Sequence, residues 1–358
     1  MLSSTGESAQ KHKHCPDGKY AYTLGHSRVE WSEMSGLFEL PLGEQTPICL
    51  EDPQIKDVEA ALYRHDPAGD RVARVLRGTL DQLYDGQHTG RWSYDQLMKT
   101  EKTHMGTLVE INLQREFKFS DGATMDYLIA GVEVDCKYSM KMGGWQIPPE
   151  AIGHLVLVVW ASEEAAEWKA GLIRVAATDL NLGTNRDSKK TLNKAAVGRI
   201  HWLWRGHGRL APNLFYQLNA STRERIFNAK ARRGNQHGQA RVNELFRSVQ
   251  RKIVRRAELA TVAQQDDFMK RARNDGGARE KLRPEGILVL GHQQLDRMIA
   301  EELGIPVPTV GEFVSVRVVP YTDSSRAIDS TLIDGCTWRM ATSLDEVVPA
   351  PNIDRRRP

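Results

Sequence analysis

Gly131-Val132-Glu133-Val134-Asp135-Cys136-Lys137-Tyr138-Ser139-Met140 is the stretch whose reading decides the fold. Side chains alternate faces along a strand. One face carries Val132, Val134, Cys136 and Tyr138, the other Glu133, Asp135, Lys137 and Ser139. That is a period-two strand with an apolar side and a charged side. Upstream, Thr124-Met125-Asp126-Tyr127 precedes the short apolar run Leu128-Ile129-Ala130, and Gly131 permits a turn between the two segments. A hairpin there brings Asp126 back beside Asp135, giving two carboxylates and one amine at one end of a sheet. Such a trio suits metal-dependent cleavage of a phosphodiester. Two carboxylates can hold a hard cation such as Mg2+. The cation polarises the phosphoryl oxygen and acidifies its bound water, and a lysine beside it can orient that water or offset developing charge. A solvated strand face with a surface ion pair shows the same D-x8-D-x-K pattern, so the rest of the chain must separate the two readings.

The totals allow a protein with two cores. There are 358 residues, 40% hydrophobic and 27% charged, with a net charge of +3. No apolar run is long enough to span a bilayer, and Met1-Leu2-Ser3-Ser4-Thr5-Gly6 lacks the apolar centre of a signal peptide. Cys15, Cys49, Cys136 and Cys336 are scattered, which implies no disulfide framework and fits a reducing cytoplasm. Residues 1–54 are expected to be a polar extension with one or two short strands, for example near Tyr20-Ala21-Tyr22. His12, His14 and Cys15 lie close together, but no second ligand pair follows them, so no zinc site is expected.

Val58, Leu62, Val72, Val75, Leu76, Leu80 and Leu83 recur at helical spacing, broken by the turn Asp66-Pro67-Ala68-Gly69. A further helix opens at Thr103 and runs to Phe117. On it Glu110, Leu113 and Phe117 share a face, which makes Glu110 a third candidate ligand or a carboxylate at the edge of the buried stripe. His154-Leu155-Val156-Leu157-Val158-Val159-Trp160 reads as a strand covered on both faces, and Gly171-Leu172-Ile173-Arg174-Val175-Ala176 as another strand. The expected core of residues 55–203 is therefore mixed α/β with an acidic cluster at one sheet edge. Residues 204–212 read as a linker.

The segment 213–358 has a different character. Arginine and lysine crowd residues 223–256 with few acids, while Val242, Leu245, Phe246, Val249 and Ile253 form an apolar stripe. This predicts an amphipathic helix with a basic outer face. Asp266 or Asp267 can cap a short helix over 268–273, a turn follows at Asn274-Asp275-Gly276-Gly277, and Ile287-Leu288-Val289-Leu290 reads as a strand. That order is the order of a winged helix-turn-helix. The density of arginine favours a nucleic-acid surface over a merely solvated one. Residues 349–358 read as a loose basic tail.

With these residues in view, the chain resembles the NaeI restriction endonuclease family. The resemblance runs over residues 58–348 and is carried by long stretches: 79–87, 99–113, the Val134-Asp135-Cys136-Lys137 strand, 233–246 and 260–271. It implies a type IIE restriction endonuclease working as a homodimer with Mg2+ on double-stranded DNA, with no organic cofactor and no membrane partner. It implies a restriction-endonuclease-like core followed by a catabolite-activator-type winged-helix domain that binds a second copy of the recognition site, the palindrome GCCGGC, and thereby activates cleavage. Glu110, Asp126, Asp135 and Lys137 match the family's catalytic positions, the three acids being the metal ligands. Arg232, Arg233, Gln236, His237, Arg241, Gln264, Gln265, Lys270, Arg271 and Arg273 are the candidate DNA-binding residues. Leu83-Tyr84-Asp85-Gly86 is similar to the nucleotidyl-lysine motif of DNA ligases, with leucine where a ligase needs its nucleophilic amine. A ligase-like activity is therefore not expected, and Leu83 also fits the apolar stripe. The competing reading is a DNA-binding regulator without nuclease activity, which has no use for four converging ionisable groups.

Overall fold

A computed structural model describes residues 52–355, apart from 184, 186, 207, 233, 235, 274, 275 and 322–328. The expectations placed on residues 1–51, including the His12, His14, Cys15 grouping, lie outside the described residues, as does Arg233.

Two helices, α1 (Pro53–His65) and α2 (Asp70–Tyr84), meet at a tight corner. Pro53 opens α1 behind the N-cap Asp52, whose carboxylate accepts from the Gln54 N–H at 3.0 Å. The corner is held by Asp66, which is buried and accepts from the N–H groups of Arg71 and Val72 at 2.9 Å each. That satisfies two donors at the start of α2 which its own N-cap, Gly69, cannot reach. A short α3 (Gly86–Thr89) and the longer α4 (Lys99–Phe117) follow. Then come β1 (Ser120–Asp121), β2 (Tyr127–Ile129), β3 (Val132–Ser139), β4 (Leu155–Ser162), β5 (Glu167–Arg174), α5 (Lys194–Gly198), β6 (His201–Trp202) and β7 (Gly208–Arg209). The sheet order is β1-β2-β3-β4-β5-β6, with β7 also pairing β5. Only β3 and β4 run parallel; their neighbours are antiparallel, so the sheet is mixed.

Register sorts the side chains into two cores. Val134 faces Leu155 and Cys136 faces Leu157, on the side covered by α1, α2 and α4. Asp135 faces Val156 and Lys137 faces Val158, on the side covered by Trp145, Ile147, Ile173, Leu192 and Ile200. The continuous apolar run of β4 is thus explained, since both its faces are buried. The same register speaks against the alternative of a solvated charged face on β3 at Asp135. Asp135 is only 4% exposed, because its side of the sheet carries the second core.

The second half of the chain comprises α6 (Ala220–Phe227), α7 (His237–Ser248), α8 (Arg256–Ala263), α9 (Phe268–Ala272), α10 (Ala278–Lys281), β8 (Ile287–Leu290), α11 (Gln294–Glu302), β9 (Val314–Pro320), β10 (Ser330–Ile333) and β11 (Cys336–Met340). Its antiparallel sheet has the order β10-β11-β9-β8. Val242, Leu245 and Phe246 of the expected stripe turn inward on α7, but the helix ends at Ser248, short of Val249 and Ile253. Helix α8 was not anticipated as a separate element. Asp267 stands at the N-cap of α9 but makes no capping bond, because its carboxylate accepts from Gln265 and Arg271 instead. The expected loose tail is also corrected. Ala350 and Ile353 are buried, the Ala350 N–H donates to the Arg283 carbonyl at 2.8 Å, and Arg355 pairs with the buried Asp296 at 2.8 Å.

Several of the described residues over 203–213 are packed. Leu203, Trp204 and Leu210 are buried in the first core, and the Trp204 indole donates to the Asp66 carbonyl at 2.6 Å. Asn213 is buried and donates to the Trp92 carbonyl at 2.7 Å and to Glu163 at 2.9 Å. Glu163, 3% exposed, also accepts from the Tyr84 hydroxyl and lies 2.6 Å from the Arg77 guanidinium. From there the charges continue: Arg77 to Asp81 at 2.9 Å, Asp81 to Arg255 at 3.0 Å, Arg255 to Glu258 at 2.8 Å, and Glu258 accepting the Leu214 N–H at 2.9 Å. The buried Arg77 guanidinium thus lies within ion-pair distance of both the Asp81 and the Glu163 carboxylates. Removing one member of a buried pair strands the other. Arg77→Ala is expected to cost about 3–5 kcal/mol of stability, measured as a lowered urea midpoint with an unchanged slope.

Candidate active site

The site begins with a two-residue turn. Ala130 and Gly131 have φ of 52° and 77°, the positive pair that a tight hairpin demands. It sets Ile129 opposite Val132, Leu128 opposite Glu133 and Tyr127 opposite Val134. Asp126, the next residue outward, comes level with Asp135. Its Oδ2 accepts from the Cys136 N–H at 2.7 Å. The Lys137 ammonium donates to Asp135 Oδ1 at 2.6 Å, to the Cys136 carbonyl at 2.9 Å and to Asp126 Oδ2 at 3.3 Å. The three groups that the alternation put on one face are therefore in direct contact, and they are largely buried, with side chains 22%, 6% and 17% exposed for Asp126, Asp135 and Lys137.

Burial decides the electrostatics. It pushes the Asp135 carboxyl up to about 7, against the pull of the Lys137 ammonium and with the help of the Asp126 charge. Lys137 is also desolvated, yet Asp135 and Asp126 outweigh this and hold its ammonium above the usual range. Glu110 sits on α4 one position past the buried Val109 and is itself half-buried. Desolvation and then the charge of Asp126 raise its carboxyl, while Lys137 and Lys189 pull it down. The Tyr127 hydroxyl donates to the Glu110 carbonyl at 2.7 Å and so ties α4 to β2 beside the site. Glu110 is thus an electrostatic neighbour of the trio rather than one of its contacts. Cys136 points into the first core, where burial pushes its thiol well up, so it packs and does not attack.

The donor set fits a hard cation. Asp135 Oδ2 is buried without a hydrogen-bond partner, an oxygen with unmet acceptor capacity next to a second carboxylate. Among the described residues, no three His, Cys, Asp or Glu side chains gather closely enough to enclose an ion by themselves. A hard cation held by Asp126 and Asp135 would complete its shell with water and substrate oxygens.

Two neighbours escaped the sequence reading. Glu133 had no visible role beyond its place on the strand, yet its carboxylate accepts from the N–H groups of Ala123, Thr124 and Met125 at 2.6, 3.0 and 2.7 Å, which hold it down to about 2. Lys189 acts on the Glu110 carboxyl through its charge alone, from a loop pinned by the bridge between Ile147 and Lys190. Neither local pattern carries a signal for these interactions, because the partners lie across loops.

The candidate DNA-binding residues divide by what they touch. Arg232, Gln236, Gln264, Lys270 and Arg273 are exposed. Arg241 donates to the carbonyls of Val262 and Ala263 at 2.6 and 2.7 Å, closing the end of α8. Arg271 and Gln265 are both engaged by Asp267, and the His237 ring accepts from the Ala231 N–H at 3.3 Å. Leu83 is buried in the first core. Its neighbour Gly86 abuts α8 so closely that a Cβ there would lie 2.0 Å from Thr261 Oγ1.

Residues 56–349 match the family model described as restriction endonuclease NaeI. The chain is 54% identical over 318 residues to the type II restriction enzyme NaeI of Lentzea aerocolonigenes, an alignment that covers 89% of this chain and 98% of that protein.

A pH effect follows from the raised Asp135 carboxyl. Its folded value of about 7 stands above the ordinary 3.8. Its contribution to stability is therefore complete below about 4 and is lost as the pH rises towards 7. In cation-free buffer, Asp135→Asn should gain stability relative to the parent between about pH 4 and pH 7 and keep that gain above it. Urea unfolding of both proteins across this range is the measurement.

Proposed function

The chain belongs to the restriction endonuclease NaeI family, and on that premise we propose that it is a type II site-specific endonuclease hydrolysing phosphodiester bonds in double-stranded DNA. The observation that carries this reading is the Lys137 ammonium in contact with both Asp126 and Asp135 at the hairpin edge. A protein that merely gripped duplexes would have no use for burying two carboxylates and an amine at one point.

Asp126 and Asp135, with Glu110 beside them, are the residues that would hold Mg2+. Bound there, the cation supplies Lewis-acid polarisation of the phosphoryl oxygen and a water of lowered pKa. The protein's own part is to fix charge. Lys137, anchored to the Cys136 carbonyl, keeps an ammonium at the site and offsets negative charge that develops on the phosphoryl group. The Cys136 N–H holds Asp126 in its orientation. The hydrophobic residues behind Asp135 keep water from relaxing that arrangement.

The finer points belong to the same proposal. Separate apolar clusters within residues 55–210 and within residues 214–353 support a catalytic domain followed by a DNA-binding domain. Helices α7 to α9 followed by a small antiparallel sheet support a winged-helix reading of the second. Exposed Arg232, Lys270 and Arg273 suit phosphate contacts, and exposed Gln236 and Gln264 suit base edges. A homodimer on the palindrome GCCGGC, activated by a second copy of that site at the C-terminal domain, fits a two-fold protein on a two-fold site. Among the described residues, no helix is long and apolar enough to cross a membrane, and the cytoplasm, where DNA is accessible, is the proposed location.

The direct test is to incubate the protein with a plasmid of known sequence and Mg2+ and to map the fragment ends. Cutting at GCCGGC supports the proposal; binding without cutting would favour a regulator. Asp135→Ala should abolish cleavage while duplex affinity without metal stays within about threefold of the parent, less than the tenfold that 1.4 kcal/mol represents. Replacing Lys270 and Arg273 together should weaken binding and reduce the slope of log affinity against log salt by about 0.9 per lost phosphate contact. An unchanged slope would place DNA on another face.

A further inference from the structure

Asp126 lies outside every strand. It ends the loop between β1 and β2, where Asp121 pairs with Tyr127 and Ser120 with Leu128. The hairpin brings Asp126 level with Asp135 and the Cys136 N–H takes its Oδ2, but the backbone that carries its side chain belongs to the loop 122–126. That loop is wound around one side chain. The Glu133 carboxylate takes the N–H groups of three successive residues, Ala123, Thr124 and Met125, together with the Thr124 hydroxyl at 3.1 Å. Successive N–H groups converging on an anion form a nest. The winding is tight: a Cβ at Gly122 would lie 2.3 Å from the Met125 carbonyl and 2.8 Å from Glu133 Oε2. On its far side Met125 is buried in the second core, so the loop is held from within by an apolar side chain and from without by Glu133.

We infer that Glu133 is a positioning residue for the metal site: it builds the loop that aims Asp126 at Asp135 and Lys137. This inference rests on the nuclease reading of the site and adds a residue that touches neither substrate nor cation. All of the carboxylate's partners are donors, so an amide in its place keeps one acceptor and turns two N–H groups towards other N–H groups. Glu133→Gln should therefore loosen the loop without disturbing the core. Glu133→Asp keeps the charge but draws its oxygens back by one methylene, and it should fail in the same way if reach rather than charge is what matters.

The experiment titrates Mn2+ into the parent and both variants. Bound ion is read from the loss of the free-ion electron paramagnetic resonance signal, alongside plasmid cleavage over a range of Mg2+ concentrations. The expected result is a dissociation constant for Mn2+ about 10-fold higher in both variants, with cleavage impaired most at low Mg2+. Unchanged Mn2+ binding with a lowered melting temperature would make Glu133 a structural residue and overturn the inference. So would a Glu133→Asp variant that binds Mn2+ like the parent, because the charge alone would then be responsible. A parent that binds no Mn2+ would sink the metal-site reading itself, and Glu133 with it, and that outcome is distinct from failure of the variants alone.

Discussion

A buried carboxylate organises the middle of this protein. Glu163, at the turn after β4, is met by the guanidinium of Arg77, the hydroxyl of Tyr84 and the amide of Asn213. An unpaired charge in such a place would cost several kcal/mol, so each partner is constrained to be present. They come from two distant parts of the chain: α2 gives Arg77 and, as its last residue, Tyr84, and the segment leading to the second half gives Asn213. The charges then run outward through Asp81 and Arg255 to Glu258, which holds the Leu214 N–H. Helix α2, packed on the first sheet, is thereby joined by polar contacts to helix α8 of the second half. Trp92, tilted against Phe215 and edge-on to Tyr216, seals the same junction with apolar area.

The acidic site depends on a different constraint, the register of one hairpin. A slip of one residue would send Asp135 and Lys137 to the face under α4 and Cys136 to the other. The positive φ values at Ala130 and Gly131 prevent the slip, and the pairing of β3 with β4 fixes what surrounds the charges. Because β4 is apolar on both faces, Asp135 sits among hydrophobic side chains rather than in water. Its raised carboxyl and its partnerless oxygen have the same origin. The sheet supplies rigidity and dryness, and the loops at its edge supply Asp126, the grip on that loop and the charge of Lys189.

Much of this was legible in the sequence wherever the deciding interaction was short-range. Alternation over 132–139, the glycine turn and the unbroken run 155–160 gave the hairpin, the both-sides-buried strand and the meeting of Asp126, Asp135 and Lys137. Helical spacing gave α1, α2 and the inward side of α7. What local patterns could not show was set by distant partners. The burial of Asp135 comes from residues around 145, 173 and 192 that cover its face. The stretch 203–213 has the composition of a linker, but its tryptophan and asparagine are fixed by Asp66 and Glu163. The tail at 349–355 is drawn in by Asp296 and the Arg283 carbonyl, more than fifty residues earlier in the chain. Arg241 sits in a basic run but is spent on helix-end carbonyls, a use that composition cannot distinguish from an open surface.

Gly86 and its surroundings bear on how the molecule can be taken apart. The turn from α2 into α3 presses against Thr261, and Gly90 lies close to Gln264, whose Nε2 would stand 2.8 Å from a Cβ there. A fragment ending near residue 212 would carry Glu163 without Asn213 and Asp81 without Arg255. A fragment beginning there would leave Thr261 and its helix facing water where α3 had been. Separate expression of the two halves would thus expose a raw seam on each piece, and their solubility would report on that seam more than on the soundness of either fold. Dissection that keeps residues 77–92 with both sides, for instance by nicking an exposed loop in the intact chain, respects the way the molecule is joined.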